Sequence, residues 1–451
     1  MGVVIEPAVW EPNPAAFVFL FVACCCSAFF LPYSSRNASA PSSALDGAPS
    51  SVPFRRFQRG FLLVYTLASV VEGLSSVYGE YEFGMLGLSK EQMVSSLCVG
   101  ILASLVVGTS FSVLSDALGQ KKFCMVFFFL HLFVGVLRKV SKHRSLWLAS
   151  MCLSLASSIF TFSFEAWMVL EHEKQGHREE LMNDTFWMMT FFGSACFIGT
   201  QLLANWLIGA DVKENLSSPS IAALWLAVLG LACVARGWKR SSQTVGFHNY
   251  DKSYVHLFKD KRVVLLTFAQ ASIQFSGAVF GILWSPTLVA DGRELNLGLI
   301  YPCLMVARML GSTILPWVTS ASMSIRTDDC LVYAFVISGF VFSVVAYDYQ
   351  EVGFLLTLFC MYNACVGTIM PSLARLRTMY IPNHLRAGMI GFSLSLSNAA
   401  FLFFMVQRGY YQSIGNSTMM AFAAVGLFAA AGCMHVLKRL GKQPYQNGHK
   451  S

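Results

Sequence analysis

Apolar residues run along this chain in blocks of about twenty, the length a helix needs to cross a hydrocarbon core. The blocks lie near residues 15–32, 60–79, 92–114, 122–137, 146–170, 186–208, 220–236, 263–284, 297–318, 330–347, 352–374, 387–407 and 417–437. Short polar connectors separate them. The pattern predicts an all-α integral membrane protein, with one short N-terminal membrane segment followed by twelve longer helices. After the first block comes "SSRNASAPSSALDGAPSSVP", a Ser/Ala/Pro-rich composition that reads as a flexible linker. Glu6 and Glu11 precede the first block, and Arg36, Arg55, Arg56 and Arg59 follow it. These flanks favour an anchor with its N-terminus outside over a cleaved signal peptide.

Composition agrees with this picture. The chain is 55% hydrophobic and 12% charged, against about 25% charged in soluble domains. A net charge of +8 would point to nucleic acid only if it gathered on one polar face. Here the basic residues sit in connectors, and most fall on the side that holds the linker and the long connector Arg236–Arg262. That bias places those connectors in the cytoplasm; the outside connector "RKVSKHR" at 138–144 is an exception. The 13 cysteines lie largely inside apolar runs without paired C-x-x-C spacing, as small apolar fillers do.

The twelve longer blocks divide into two sets of six around the basic central connector. Arg59-Gly60 opens one set and Arg262-Val263 opens the other; the same offset relates "GTS" at Gly108 to "GST" at Gly311. Parallel six-helix repeats are the organisation of major facilitator transporters. The expected division is therefore a membrane segment at 1–33, a cytoplasmic linker at 34–56 and six-helix bundles at 57–236 and 263–437. A basic connector at 237–262 joins the bundles, and a cytoplasmic tail occupies 438–451.

Ionisable residues inside the blocks are the candidates for chemistry, because an unpaired charge at mid-bilayer costs at least roughly 2.5–3.5 kcal/mol. Glu72 and Arg308 lie too deep to reach the surface easily, and a protonated Glu72 would be a proton carrier. His131 reads as a structural partner. Gln270 and Gln274, one turn apart with Ser276 nearby, form a polar stripe that could line a cavity or join helices. "SDALGQKK" at 115–122 sets Asp116 where it could receive the positive end of a facing helix, with Lys121 and Lys122 able to reach helix C-termini. "SFEAWMVLEHEKQGHREE" from Ser163 contains "HEKQGH", but His172 and His177 are five residues apart, not the four of a zinc helix. No metal site or cofactor is expected there. The repeat offset instead sets Glu165, Glu171 and Glu173 opposite Arg375 and Arg377, a cytoplasmic latch.

Several of these strings carry a family resemblance. "SDALGQKK" is similar to the loop between the second and third helices of the major facilitator superfamily, with pattern G-x-x-x-D-x-x-G-R-[RK]. Asp116, Gly119 and Lys121 match it, while Ser112 replaces a glycine and Gln120 an arginine. "FRRFQRGFLLVY", "FEAWMVLEHE", "DKRVVLLTFAQ", "FGILWSP", "MLGSTI" and "MPSLARLRTMYIPNHLRAG" resemble the molybdate-anion transporter family within that superfamily, in order from about Phe54 to about Asn398. The resemblance implies a major facilitator fold with an extra N-terminal span, a plasma-membrane location and transport of a molybdate-like oxyanion. It also exposes departures. Ser150 and Leu394 stand where the family has arginines, Gln274 stands where it has a carboxylate, and Arg308 is an added cation.

The leading reading is thus a secondary transporter of a small anion working by alternating access, with proton coupling an open element. Glu72, Gln270, Gln274 and Arg308 would lie on the substrate or ion pathway. Asp116, Lys121, Lys122, Glu165, Glu171, Arg375 and Arg377 would form the cytoplasmic gate. The lost family charges keep two alternatives in play, a transporter of another small solute and a transporter-like receptor or scaffold that moves nothing. A membrane enzyme rests on "HEKQGH" alone, with no nucleophile–base pair beside it.

Overall fold

The computed structural model describes residues 51–85, 89–140, 146–176, 179–208, 218–237, 254, 257–289, 295, 297–318, 327–347, 351–411 and 414–441, with isolated positions between 15 and 26. Most of the expected N-terminal segment, residues 34–50 of the linker and residues 238–253 of the connector lie outside these. Twelve long helices are described. The N-terminal six are α1 (Ser51–Met85), α2, α3 (Gln120–Val140), α4 (Leu146–Lys174), α5 (Glu179–Ile208) and α6 (Ser218–Gly237). Helix α2 is continuous through Lys90–Ala103, a π-helical turn at Ser104–Gly108, and Thr109–Leu118. The C-terminal six are α7 (Lys261–Leu288), α8 (Leu297–Val318), α9 (Thr327–Ala346), α10 (Val352–Tyr380), α11 (Arg386–Gly409) and α12 (Asn416–Gly441). From Glu91 onward, eleven described helices are long and apolar enough to cross a membrane.

Local chemistry sets the helix ends. Ser89 and Gln92 form a reciprocal capping box at the start of α2, and the Asp260 carboxylate caps α7 by accepting from the Arg262 N–H at 2.9 Å, each satisfying a donor that a helix start leaves open. Gly119, at φ 102°, turns the chain between α2 and α3 with a backbone that residues carrying a Cβ avoid. Helix α1 begins at Ser51, six residues before the expected bundle boundary, so Arg55 and Arg56 ride on the first long helix and not on the linker. Pro53 is tolerated there because the first turn needs no N–H from it. Phe54 and Phe57 are buried edge-on against His172 of α4, with centroids 5.7 and 6.4 Å away. His172 is therefore an aromatic packing partner at the end of α4.

Each half has its own apolar core. One gathers Phe61, Phe127, Phe164 and Trp167, the other Phe280, Phe335, Phe359 and Leu427. Across the halves, α2 packs on α11, α4 on α11, α5 on α8 and α5 on α10. Advancing every helix number by six exchanges these pairs, so the interface has the two-fold pattern of a parallel repeat.

Lipid tails are as apolar as the helix surfaces, so association depends on close packing. Small residues provide it. A Cβ on Gly311 of α8 would lie 1.9 Å from the Ala364 carbonyl oxygen of α10, and one on Gly367 would lie 2.1 Å from the Arg308 carbonyl oxygen. Gly311→Ala should therefore cost about 1–3 kcal/mol of overpacking. We expect a lower Tm for the detergent-solubilised variant, while Gly277→Ala, whose Cβ meets nothing within 4 Å, keeps the parental Tm or raises it. Equal Tm values for both variants would contradict this packing account.

Candidate functional site: an interhelical cavity and its charged floor

A cavity of about 280 Å³ lies between the halves, with Glu72 and Tyr65 of α1, Glu165 of α4, Thr190 of α5, Arg308 of α8 and Ala374 of α10 among its lining residues. Ser157, Thr161 and Ser194 add hydroxyls. Three of the expected pathway and gate residues, Glu72, Glu165 and Arg308, thus share one chamber. Charges in such a chamber are favoured by partners, and the three differ in how far they have them.

Glu72 reaches His131 of α3 (Oε2 to Nε2, 3.2 Å), and the other ring nitrogen of His131 meets the Ser75 hydroxyl at 3.0 Å. His131, expected as a structural partner, is thereby tied to a cavity carboxylate. The Ser75 bond leaves the tautomer able to place a proton on either ring nitrogen. Arg308 is half-buried, and its Nε is enclosed without an acceptor among the described residues.

Glu165 is the centre of the floor. Arg377 of α10 donates to both its oxygens, from Nε at 2.9 Å and Nη2 at 2.5 Å. Arg386 of α11 donates to Oε1 from Nε at 2.9 Å and Nη2 at 2.7 Å. The remaining donors are partly used: Arg377 Nη1 donates to Gln270 Oε1 of α7, and Arg386 Nη2 also reaches the Ala374 carbonyl at 2.7 Å. The Arg386 guanidinium lies 5.5 Å from the Phe186 ring centroid of α5, a cation–π contact across the halves. Arg386 is fully enclosed. Arg377 was expected at this mouth, with Glu165 and Arg375 beside it; Arg386 was not.

Below this floor, Asp116 holds the start of α11. Its carboxylate accepts from the backbone N–H of Gly388 at 2.7 Å and Ala387 at 3.3 Å. It also accepts from the Tyr254 hydroxyl and the Gln120 amide, each at 2.6 Å. A carboxylate on a helix N-terminus is favoured by both the open N–H groups and the helix dipole. Tyr254, from the central connector, lies so close to Gly388 that a Cβ there would come within 2.1 Å of its hydroxyl. Leu257 of the same segment packs on Ala117 and Leu385. At the edge, Glu173 accepts from Asn383 at 2.9 Å. Glu171 instead takes a hydrogen bond from Gln175, just past the end of α4, at 3.4 Å. Lys121 is half-buried and Lys122 exposed beside them; Arg375 is half-buried on α10.

Of the remaining expected residues, Gln270 joins the floor through Arg377. Gln274, one turn above it, has both amide atoms buried without a partner among the described residues. Ser150, where the resemblance implies an arginine, donates to the Ser96 carbonyl at 2.8 Å. Farther along the α2–α11 contact Asn398 of α11 donates to Ser104 at 2.7 Å, and Ser104 meets Ser158 of α4. Ser104 opens the π-helical turn of α2, a local widening of the kind that occurs at functional positions.

Comparison with known proteins supports this architecture. A family model described as sugar transporters with 12 transmembrane helices matches residues 16–352. The molybdate-anion transporter of Takifugu rubripes is 28% identical over 90% of this chain and 91% of its own length. That of Xenopus tropicalis is 27% identical over 88% of each. Among solved structures, a bacterial homologue of the iron transporter ferroportin superposes with a TM-score of 0.67 at 13% identity, covering 86% of this chain and 100% of that one. The fucose:proton symporter of E. coli and a human organic anion transporter each give 0.62 at 12% identity, covering 84% of this chain and 99% of theirs; at such identities these three speak for the fold alone. With the family model matched over most of the chain, from the N-terminal half into the C-terminal one, the chain belongs to this 12-helix family of major facilitator transporters.

Proposed function

We propose that this secondary transporter carries a small oxyanion of the molybdate class through the cavity. In this reading the Glu165 floor and the Asp116 cap form the gate on its cytoplasmic side. The observation that carries the reading is the charge balance. Arg308 lines the cavity and Arg377 and Arg386 stand beneath it on Glu165, so three guanidiniums face the two carboxylates Glu72 and Glu165. In a space screened from water, an excess cation with open N–H donors attracts an oxyanion, for which guanidinium geometry is well matched. Arg308 Nε and Arg386 Nη1 are donors without an acceptor among the described residues, and the hydroxyls of Tyr65 and Ser157 line the same cavity. The names of the aligned relatives favour molybdate or a close analogue. Glu72, in contact with His131, lines the same chamber, and the reading includes proton coupling through this pair.

Alternating access requires the floor to open. Glu165 stands on one half and both its arginines on the other, so opening separates a buried carboxylate from two guanidiniums. Removing one partner of such a pair costs about 3–5 kcal/mol, close to the roughly 5.5 kcal/mol that inverts a population from 1:99 to 99:1.

Three outcomes are expected. Arg308→Ala should reach the cell surface normally yet lower molybdate uptake at sub-saturating concentration about tenfold or more, as loss of a charged hydrogen-bond donor does; normal uptake would remove Arg308 from the site. Glu165→Gln should weaken closure of the floor, so that a cysteine introduced at Ala374 on a background without reactive cysteines is labelled faster by a cytoplasmic maleimide. Exchange of the charges, Glu165→Arg with Arg377→Glu, should partly reverse that gain, and unchanged labelling in both would sink the gate. In liposomes, Glu72→Gln should take up substrate at one rate with or without an imposed proton gradient, whereas the parent responds; an unchanged response would exclude Glu72 as the coupling group.

A further inference from the structure

A second, larger cavity lies outside the transport pathway, in the groove between α1 and α6. It has a volume of about 720 Å³ and is lined by Gly60 and Leu63 of α1 and by Leu229 and Cys233 of α6, with Arg56 and Arg236 also on its wall. Leu63 and Leu229 are exposed on the outer surface of the bundle, so the groove faces the bilayer. Arg56 lies in the second turn of α1 and Arg236 in the last turn of α6. Both helix ends are on the side of the basic connectors, the cytoplasmic side by charge bias.

Two features separate this groove from ordinary surface arginines. The guanidiniums come from the first and last helices of the N-terminal half yet line one opening, where like charges repel unless an anion joins them. Neither has a carboxylate partner among the described residues. In addition, the wall below them is apolar and built on small side chains, Gly60, Ala232 and Cys233, so a hydrocarbon chain can lie against the helices directly beneath an anionic headgroup. The chain's own described N-terminal residues do not compete for the place, because Phe21 and Cys25 pack against the core of the C-terminal half.

We propose that this groove is a binding site for one anionic glycerophospholipid of the cytoplasmic leaflet, its phosphate between Arg56 and Arg236 and an acyl chain along Leu63 and Leu229. Basic pockets between transmembrane helices on the cytoplasmic side bind anionic headgroups, and the volume is that of a ligand site rather than a packing defect. The inference is independent of what the central cavity transports.

The test is native mass spectrometry of the full chain released from nanodiscs of phosphatidylcholine mixed with phosphatidylserine. The parent should retain one phosphatidylserine in preference to phosphatidylcholine. The double variant Arg56→Gln with Arg236→Gln should lose that preference about tenfold or more, and Arg56→Lys with Arg236→Lys should keep most of it. Ala232→Phe, which fills the groove but leaves both arginines, should release the lipid as well. Unchanged Tm values in pure phosphatidylcholine establish that the variants are folded; should the glutamine pair unfold, the lysine pair and Ala232→Phe decide. Retention of phosphatidylserine by the glutamine pair, or by Ala232→Phe, overturns the proposal. So does displacement of the lipid by inorganic phosphate alone, which would mark a site for a soluble anion.

Discussion

One carboxylate governs how the two halves meet. Taking Glu165, Arg377 and Arg386 out of water costs several kcal/mol for each ion before any attraction is counted. That cost is offset only while all three are assembled with their further partners. The side chain of Gln270 and the carbonyl of Ala374 take remaining N–H groups, and Phe186 covers the Arg386 guanidinium. Because Glu165 belongs to α4 and the arginines to α10 and α11, the assembly exists only when the halves are docked at that end. It therefore stabilises one arrangement of the halves, not the fold of either half.

The same helix end is held a second way. Arg386 stands at the first position of α11, where the helix dipole disfavours a cation. Two carboxylates from the other half reverse that balance: Glu165 binds the side chain, and Asp116 binds the backbone N–H groups that follow it. Farther along α11, a Cβ on Gly391 would lie 1.9 Å from the Ser112 hydroxyl. Ser112 occupies the place of a glycine in the resembled loop pattern, and the space is made on the opposing helix. The close approach is kept while the residue that allows it has changed sides.

Much of this was legible in the chain because membrane solvation leaves few options. Twenty apolar residues between polar connectors can only be a span, and a repeat of six such spans constrains which helices meet. Glu72, Glu165 and Arg308 stood out because charge is costly at that depth, and Arg377 emerged from the repeat offset. Arg386 did not, since in "IPNHLRAG" an arginine reads as a solvated connector residue. Its one signal was a cation in the first turn of a helix, against the dipole. The Glu72–His131 pair joins different helices with no spacing rule to link them, so His131 read as structure alone. Glu171 lies at the water-facing end of α4, where a partner near it in the chain is as accessible as one across the mouth. The offset could place the two helix exits opposite each other but could not choose among neighbouring side chains.

The interface is symmetric in packing and asymmetric in charge, and that difference bears on how such a protein cycles. α2–α11 and α5–α8 are equivalent contacts under the repeat. The first carries Asp116 on the start of α11 and the Asn398–Ser104 bond, while the second sets Thr190 and Arg308 on the cavity wall. A rocking motion can exchange apolar packing at one contact for apolar packing at the other, because the two are equivalent under the repeat. It cannot conserve the Glu165 and Asp116 bonds, which exist in one arrangement and must be replaced by water or other partners in the next. In the proposed cycle the barrier therefore resides in a few polar contacts at one end. The guanidiniums that keep that end closed adjoin the chamber that would hold the anion. A bound oxyanion would partly compensate Arg377 and Arg386 as Glu165 withdraws, lowering the electrostatic cost of opening when the chamber is occupied. An empty chamber has no such compensation, so the same charge excess that attracts the substrate would also discourage futile opening without it.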